Sequence, residues 1–218
     1  MNNIRLLDSL LKRMDARTET IVVTEPFVSA PERCILIFDR SGSMATNDYP
    51  PTRLLAAFDA GIEFLHAREA TGLPDLISVV LFDNAAEFVC RDVSLNKAVE
   101  ILTRLKSKNP IRGGTDINSG LVAAESHYEQ ERQNYSNRIV LLTDGNGGNP
   151  ICTARRLHKT GVLVDVIGIA GTPEDVAEEE MRKVASFIKG TSRYRFIGNK
   201  AELLQHFKTI ATDLMRVK

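Results

Sequence analysis

The chain has 218 residues, of which 43% are hydrophobic and 26% charged, a balance that fits one α/β domain with a real core and excludes a disordered or fibrous chain. Lys plus Arg and Asp plus Glu both number 28, so no net field is available to draw in nucleic acid or an anionic bilayer. Any electrostatic function must be local, which leaves neither nucleic acid nor membrane as an expected partner.

At the N-terminus, Ile4, Leu7, Leu11 and Met14 fall on one helical face, followed by the extended stretch TETIVVTEP. Residues 1–30 read as an amphipathic helix and arm ahead of a main domain at 31–218. The helix either caps the domain's own core, the simpler reading, or docks on another chain. Arg5, Asp8, Lys12 and Arg13 interrupt the apolar positions, which argues against a signal peptide. No run reaches the roughly 18 apolar residues needed to span a bilayer. The 3 cysteines, Cys34, Cys90 and Cys152, lie far apart and odd in number, which argues against a disulfide framework and favours a reducing, cytoplasmic home.

Buried strands are expected at Cys34 to Phe38, Ile77 to Phe82, Ile139 to Leu142, Leu163 to Ile169 and Tyr194 to Ile197, where Ile and Val runs are bounded by turn residues. Between them the periodicity turns helical. Leu54, Leu55, Phe58, Ile62 and Leu65 make one stripe; Leu95, Ala98, Val99, Leu102 and Leu105 a second; Ile117, Leu121, Ala124 and Tyr128 a third. Further helices are expected near Ile151 to Thr160, Pro173 to Phe187 and Ala201 to Arg216. Ala86 to Val89 follows Phe82 too closely for a crossover, so it should be an antiparallel edge strand. The alternation should place helices on both faces of an open, doubly wound, mostly parallel sheet.

In such sheets ligands sit beyond the carboxyl ends of the strands, so the residues after each strand carry most weight. The first strand runs into Asp39-Arg40-Ser41-Gly42-Ser43, which can turn three oxygen donors toward one point, with Gly42 allowing the tight turn. The fourth ends in Thr143-Asp144-Gly145 and delivers a second carboxylate. Between them, Gly113-Gly114-Thr115-Asp116 can bring the Thr115 hydroxyl over the same spot. Hard oxygen donors without thiolate or imidazole select Mg²⁺, with Mn²⁺ or Ca²⁺ as competitors. With two carboxylates and three hydroxyls around an ion that keeps an open position, some must act through water.

The D-x-S-x-S segment of Asp39, Ser41 and Ser43, with Thr115 in GGTD and Asp144 in LLTDG, resembles the metal-ion-dependent adhesion site of von Willebrand factor A (VWA) domains. The resemblance covers roughly Pro31 to Met215. It implies a Rossmann-like sheet with a cation at its top, whose open position accepts a carboxylate from a partner protein. It also implies a non-enzymatic module. Short, signal-less members resemble intracellular adaptors, with an ATPase or a kinase and phosphatase pair in a bacterial signalling or stress system as expected clients. Arg40 departs from the small or hydroxyl residue common in the family. It either stays solvent-exposed or acts at a partner-binding rim, and Arg112 is a second rim candidate on the same terms.

Other features read more simply. Asp116 suits an N-cap of the third helix, and Asp48 and Asp83 either approach the site or, more simply, are solvated loop acids. Gly145-Asn146-Gly147-Gly148 lacks G-x-G-x-x-G spacing and serves loop flexibility. His66, His127, His158 and His206 are scattered without zinc-ligand spacing, and Cys34 and Cys90 suit small core residues. Glu178, Glu179 and Glu180 with Arg182 and Lys183 suit a solvated helix face. The competing functional reading is a Mg²⁺-dependent phosphohydrolase or phosphotransferase with Asp39 as nucleophile. It lacks a second carboxylate two residues on, where Ser41 stands, and a lysine placed for a transferring phosphoryl group.

Overall fold

A computed structural model describes residues 30–145 and 147–213. The amphipathic helix and arm expected over residues 1–30 lie outside the described residues, save Ala30. A six-stranded sheet has β1 (Glu32–Asp39) near its centre, with β2 (Leu76–Phe82) and β3 (Ala86–Val93) on one side. On the other side lie β4 (Ser136–Thr143), β5 (Leu163–Ile169) and β8 (Tyr194–Ile197), and only the edge strand β3 runs antiparallel. Every residue of β1 is buried, as a central strand covered on both faces requires.

The pleat divides the core in two. Cys34, Leu36 and Phe38 face α1 (Arg53–Glu69), α2 (Leu95–Lys108) and α6 (Lys200–Thr212). Ile35 and Ile37 face α3 (Ile117–Tyr128), α4 (Ile151–Lys159) and α5 (Glu178–Val184). The sequence periodicities therefore end on the expected faces. Helix starts are chemically marked: the Thr52 hydroxyl accepts from the Leu55 amide at α1, and Asn199 accepts from Glu202 at α6.

One expected helix is corrected. Pro173 to Phe187 divides into a 3₁₀ turn (Pro173–Asp175), α5, and a short hairpin of β6 (Phe187–Ile188) and β7 (Thr191–Ser192). The Asp175 carboxylate accepts from the Thr172 amide and closes the first turn, after which Val176 is extended. At the far end, the start of β5 needs partners for its open edge. Ser186 supplies them: its hydroxyl accepts from the Val164 amide and its amide donates to the Val164 carbonyl, both at 2.9 Å.

At the amino ends of the strands a buried ionic cluster ties α6 to the sheet. Arg138 reaches Asp165 at 2.8 Å and Glu32 at 3.3 Å, and donates to the Ile210 carbonyl at 2.8 Å. Arg68 holds Asp75 at 2.6 Å and donates to the Ala211 carbonyl at 3.2 Å. Two guanidinium groups thus satisfy carbonyls at the C-terminal end of α6, where a helix has orphan acceptors and a negative pole.

Candidate metal centre

The chain runs outward from β1 through β2 to β3, then returns across β1 to β4. The crevice between the carboxyl ends of β1 and β4 is thus the topological switch point, where open α/β sheets place ligands. Asp39 ends β1 and Asp144 follows β4; they are 0% and 3% exposed.

The first loop is folded by its own acid. Asp39 Oδ1 accepts from the Ser41 amide at 2.8 Å, while Oδ2 accepts from the Thr143 hydroxyl at 2.6 Å. Ser41 and Ser43 hydroxyls lie 3.1 Å apart, and Ser43 Oγ donates to Asp144 Oδ1 at 2.8 Å. A continuous chain of oxygens therefore runs from β1 to β4. Thr115 comes from the lead into α3 and packs against the far wall. A Cβ on Gly145 would lie 3.4 Å from Thr115 Cγ2 and 3.6 Å from its Oγ1, and one on Gly147 would lie 2.1 Å from the Thr115 carbonyl oxygen. The glycines after Asp144 are what let the third loop approach so closely. Gly42, expected to permit a tight turn, instead sits at the start of a 3₁₀ turn (Gly42–Ala45) where a Cβ meets only Arg112 O, at 3.7 Å.

Burial, with a further push from the Asp144 charge, raises the Asp39 carboxyl to about 6 against the lowering effect of its hydrogen bonds. Two carboxylates buried this close are a repulsive pair that a cation would relieve. The donor set fits a hard divalent ion: two carboxylates and three hydroxyls, all oxygen. Among the described residues no cluster of three or more His, Cys, Asp or Glu side chains suits a metal, so the acid count here stays at two.

Arg40 corrects the solvent-exposed reading. It is 4% exposed, with Nε 2.8 Å from Asp83 and Nη1 3.0 Å from Glu87, and its carbonyl accepts from the Arg112 amide at 2.8 Å. It fastens the first loop to the β2–β3 turn. Asp83 is likewise buried rather than solvated, and Arg40 holds its carboxyl below the ordinary range against the opposing effect of burial. Arg112 keeps an exposed side chain, 3.9 Å from Asp83. Asp116 caps α3, accepting from the Asn118 amide at 3.1 Å.

Sequence reasoning passed over two participants, Thr143 and Arg53. Thr143 orients Asp39. Arg53 donates through Nη1 to Asp144 Oδ2 at 2.8 Å, and its Nε lies 2.9 Å from Asp48. Asp48 is therefore a paired acid rather than a free loop residue. A signal for Arg53 existed: it opens α1, where no acid stands in the first turn and the helix dipole disfavours a cation, so a compensating carboxylate was required.

A sequence profile of the von Willebrand factor type A domain matches residues 34–146, more than half of the chain. The chain belongs to this family. The chain is 27% identical over 160 residues to human calcium-activated chloride channel regulator 1, covering 73% of this chain but 16% of that protein. The chain thus matches only a small part of that relative's length. A solved VWA structure from Catenulispora acidiphila superposes with a TM-score of 0.64 at 26% identity, over 84% of this chain and 42% of the other. The pilus adhesin SpaC of Lactobacillus rhamnosus GG shares the VWA fold, with a TM-score of 0.70 at 16% identity over 84% of this chain and 30% of that one. VWA domains typically serve as protein-interaction modules, are generally non-enzymatic and often bind a divalent metal. Among the described residues no helix is long and apolar enough to cross a membrane.

Proposed function

We propose that this VWA domain is a protein-interaction module that holds one divalent cation at a metal-ion-dependent adhesion site and, through it, an acidic residue of a partner protein. Asp39, Ser41, Ser43, Thr115 and Asp144 would hold the ion, Mg²⁺ in first place with Mn²⁺ or Ca²⁺ as competitors. The observation that carries the reading is the hydroxyl chain from Ser41 through Ser43 to Asp144, which joins donors from two strands at the switch point.

Bound there, the ion would supply Lewis acidity toward an incoming carboxylate. The chain's own residues do the rest: Thr143 and the Ser41 amide orient Asp39, Ser43 orients Asp144, and the paired Arg40 keeps the loop in place. Asp39 is poorly suited to nucleophilic attack, because both of its oxygens already accept hydrogen bonds. In biological terms we place the domain as a cytoplasmic adaptor in a bacterial signalling or stress response, with an ATPase or a kinase and phosphatase pair as client.

Isothermal titration with Mg²⁺ and affinity capture with and without Mg²⁺, each on the parent and on Asp39→Ala, test this. Uptake of one ion and Mg²⁺-dependent partner recovery, both lost in the variant, are expected. Equal recovery of the same partners under all four conditions overturns the metal bridge.

A further inference from the structure

Arg53 has no place in the donor set, yet it lies against it. Its side chain is 10% exposed, and the Asp144 side chain it contacts is fully buried. The guanidinium is gripped from the other side by Asp48, whose side chain is 30% exposed. Both partners raise the Arg53 pKa, so its charge is permanent. The Asp144 oxygens are thus divided between a neutral donor, the Ser43 hydroxyl on Oδ1, and a cation on Oδ2. Placing a cation at the first position of α1, against the helix dipole, carries a cost that the two carboxylates offset.

We propose that Arg53 is a tethered counter-cation that sets the affinity of the site for its divalent ion, a role that rests on the metal-binding reading above. Its charge opposes that of any cation brought to Asp144 and withdraws electron density from that carboxylate. The site therefore takes its ion more weakly than the same donors would alone, and the loaded site retains more positive charge for a partner's acid. Asp48 anchors the guanidinium so that it stays on Asp144 when the ion arrives.

The sign of the effect separates this from simple positioning. Loss of a partner that only orients a ligand weakens metal binding by about 10–100-fold. Loss of a counter-cation tightens it.

The test is Mg²⁺ titration calorimetry of the parent, Arg53→Gln, Arg53→Lys and Asp39→Ala, with circular dichroism to verify folding. Gln keeps an N–H donor toward Asp144 and removes the charge. The expected result is Mg²⁺ binding on the order of tenfold tighter in Arg53→Gln, one unit charge fewer beside a dication. Arg53→Lys should restore the weaker binding. Uptake by Arg53→Gln but not by the parent also supports the proposal. Equal or weaker binding by a folded Arg53→Gln overturns it while leaving the metal reading intact, provided the parent binds and Asp39→Ala does not. No Mg²⁺ uptake by the parent or by Arg53→Gln overturns both. Should Arg53→Gln fail to fold, Arg53→Met, equally uncharged, carries the same test: Mg²⁺ binding tighter than the parent's is expected, and equal or weaker binding overturns the proposal.

Discussion

At the scale of single residues, Ser43 is the joint on which the site turns, because its hydroxyl meets both Ser41 and Asp144. Ser43→Ala is expected to weaken Mg²⁺ binding on the order of tenfold or more by calorimetry, with Ser43→Thr retaining most of it. Gly147 tests the third loop. A methyl group there would lie 2.1 Å from the Thr115 carbonyl oxygen, backbone that cannot swing aside. Gly147→Ala should cost about 1–3 kcal/mol in urea denaturation. Gly42→Ala, facing only a contact at 3.7 Å, should stay within about 0.5 kcal/mol of the parent.

At the scale of elements, α1 lies close on the sheet because Gly61 has no side chain. A Cβ there would sit 2.9 Å from Phe38 Cζ and 3.0 Å from Leu102 Cδ1, so it would press on β1 and α2 together. Gly61→Val is expected to destabilise by roughly 2 kcal/mol or more in the same denaturation assay. In α6, burial, reinforced by the Arg195 charge, pushes the His206 imidazole down to about 4. Its folded value lies below the ordinary one near 6.5, so His206 favours folding fully only above that pH. That contribution is lost as pH falls from about 6.5 through about 4. The melting temperature of His206→Gln should therefore fall less than the parent's between pH 7 and pH 4. Equal slopes would remove His206 from the acid response.

Across the whole molecule, function and stability occupy opposite ends of one sheet. The carboxyl ends carry Asp39, which has no cationic partner among the described residues, and Asp144, paired with Arg53, while the amino ends carry Glu32, Asp75 and Asp165 matched by Arg68 and Arg138. Arg138 is 0% exposed, and Arg138→Met would leave Glu32 and Asp165 without that cation. The expected loss is roughly 3–5 kcal/mol, read as a lowered urea midpoint. The same change would free the Ile210 carbonyl at the end of α6.

Much of this architecture was open to reading from local pattern. Leu163–Ile169, Tyr194–Ile197 and Ile117–Tyr128 match their expected ranges, because an apolar run or a 3.6-residue stripe records burial that each segment carries in itself. The oxygen-bearing residues after β1 and β4 were visible for the same reason, since strand ends point to the switch point. Other features depended on neighbours distant in the chain. Arg40 is buried because Asp83 and Glu87 come from the β2–β3 hairpin, and Arg53 reaches Asp144 across 91 residues. The helix expected through Phe187 stops where the β5 edge needs Ser186. Periodicity reports which face a residue presents, but it does not say which charge or hydrogen-bonding group will stand opposite. That choice belongs to the packed sheet, where loops from β1, β2 and β4 meet and each buried charge must find its partner.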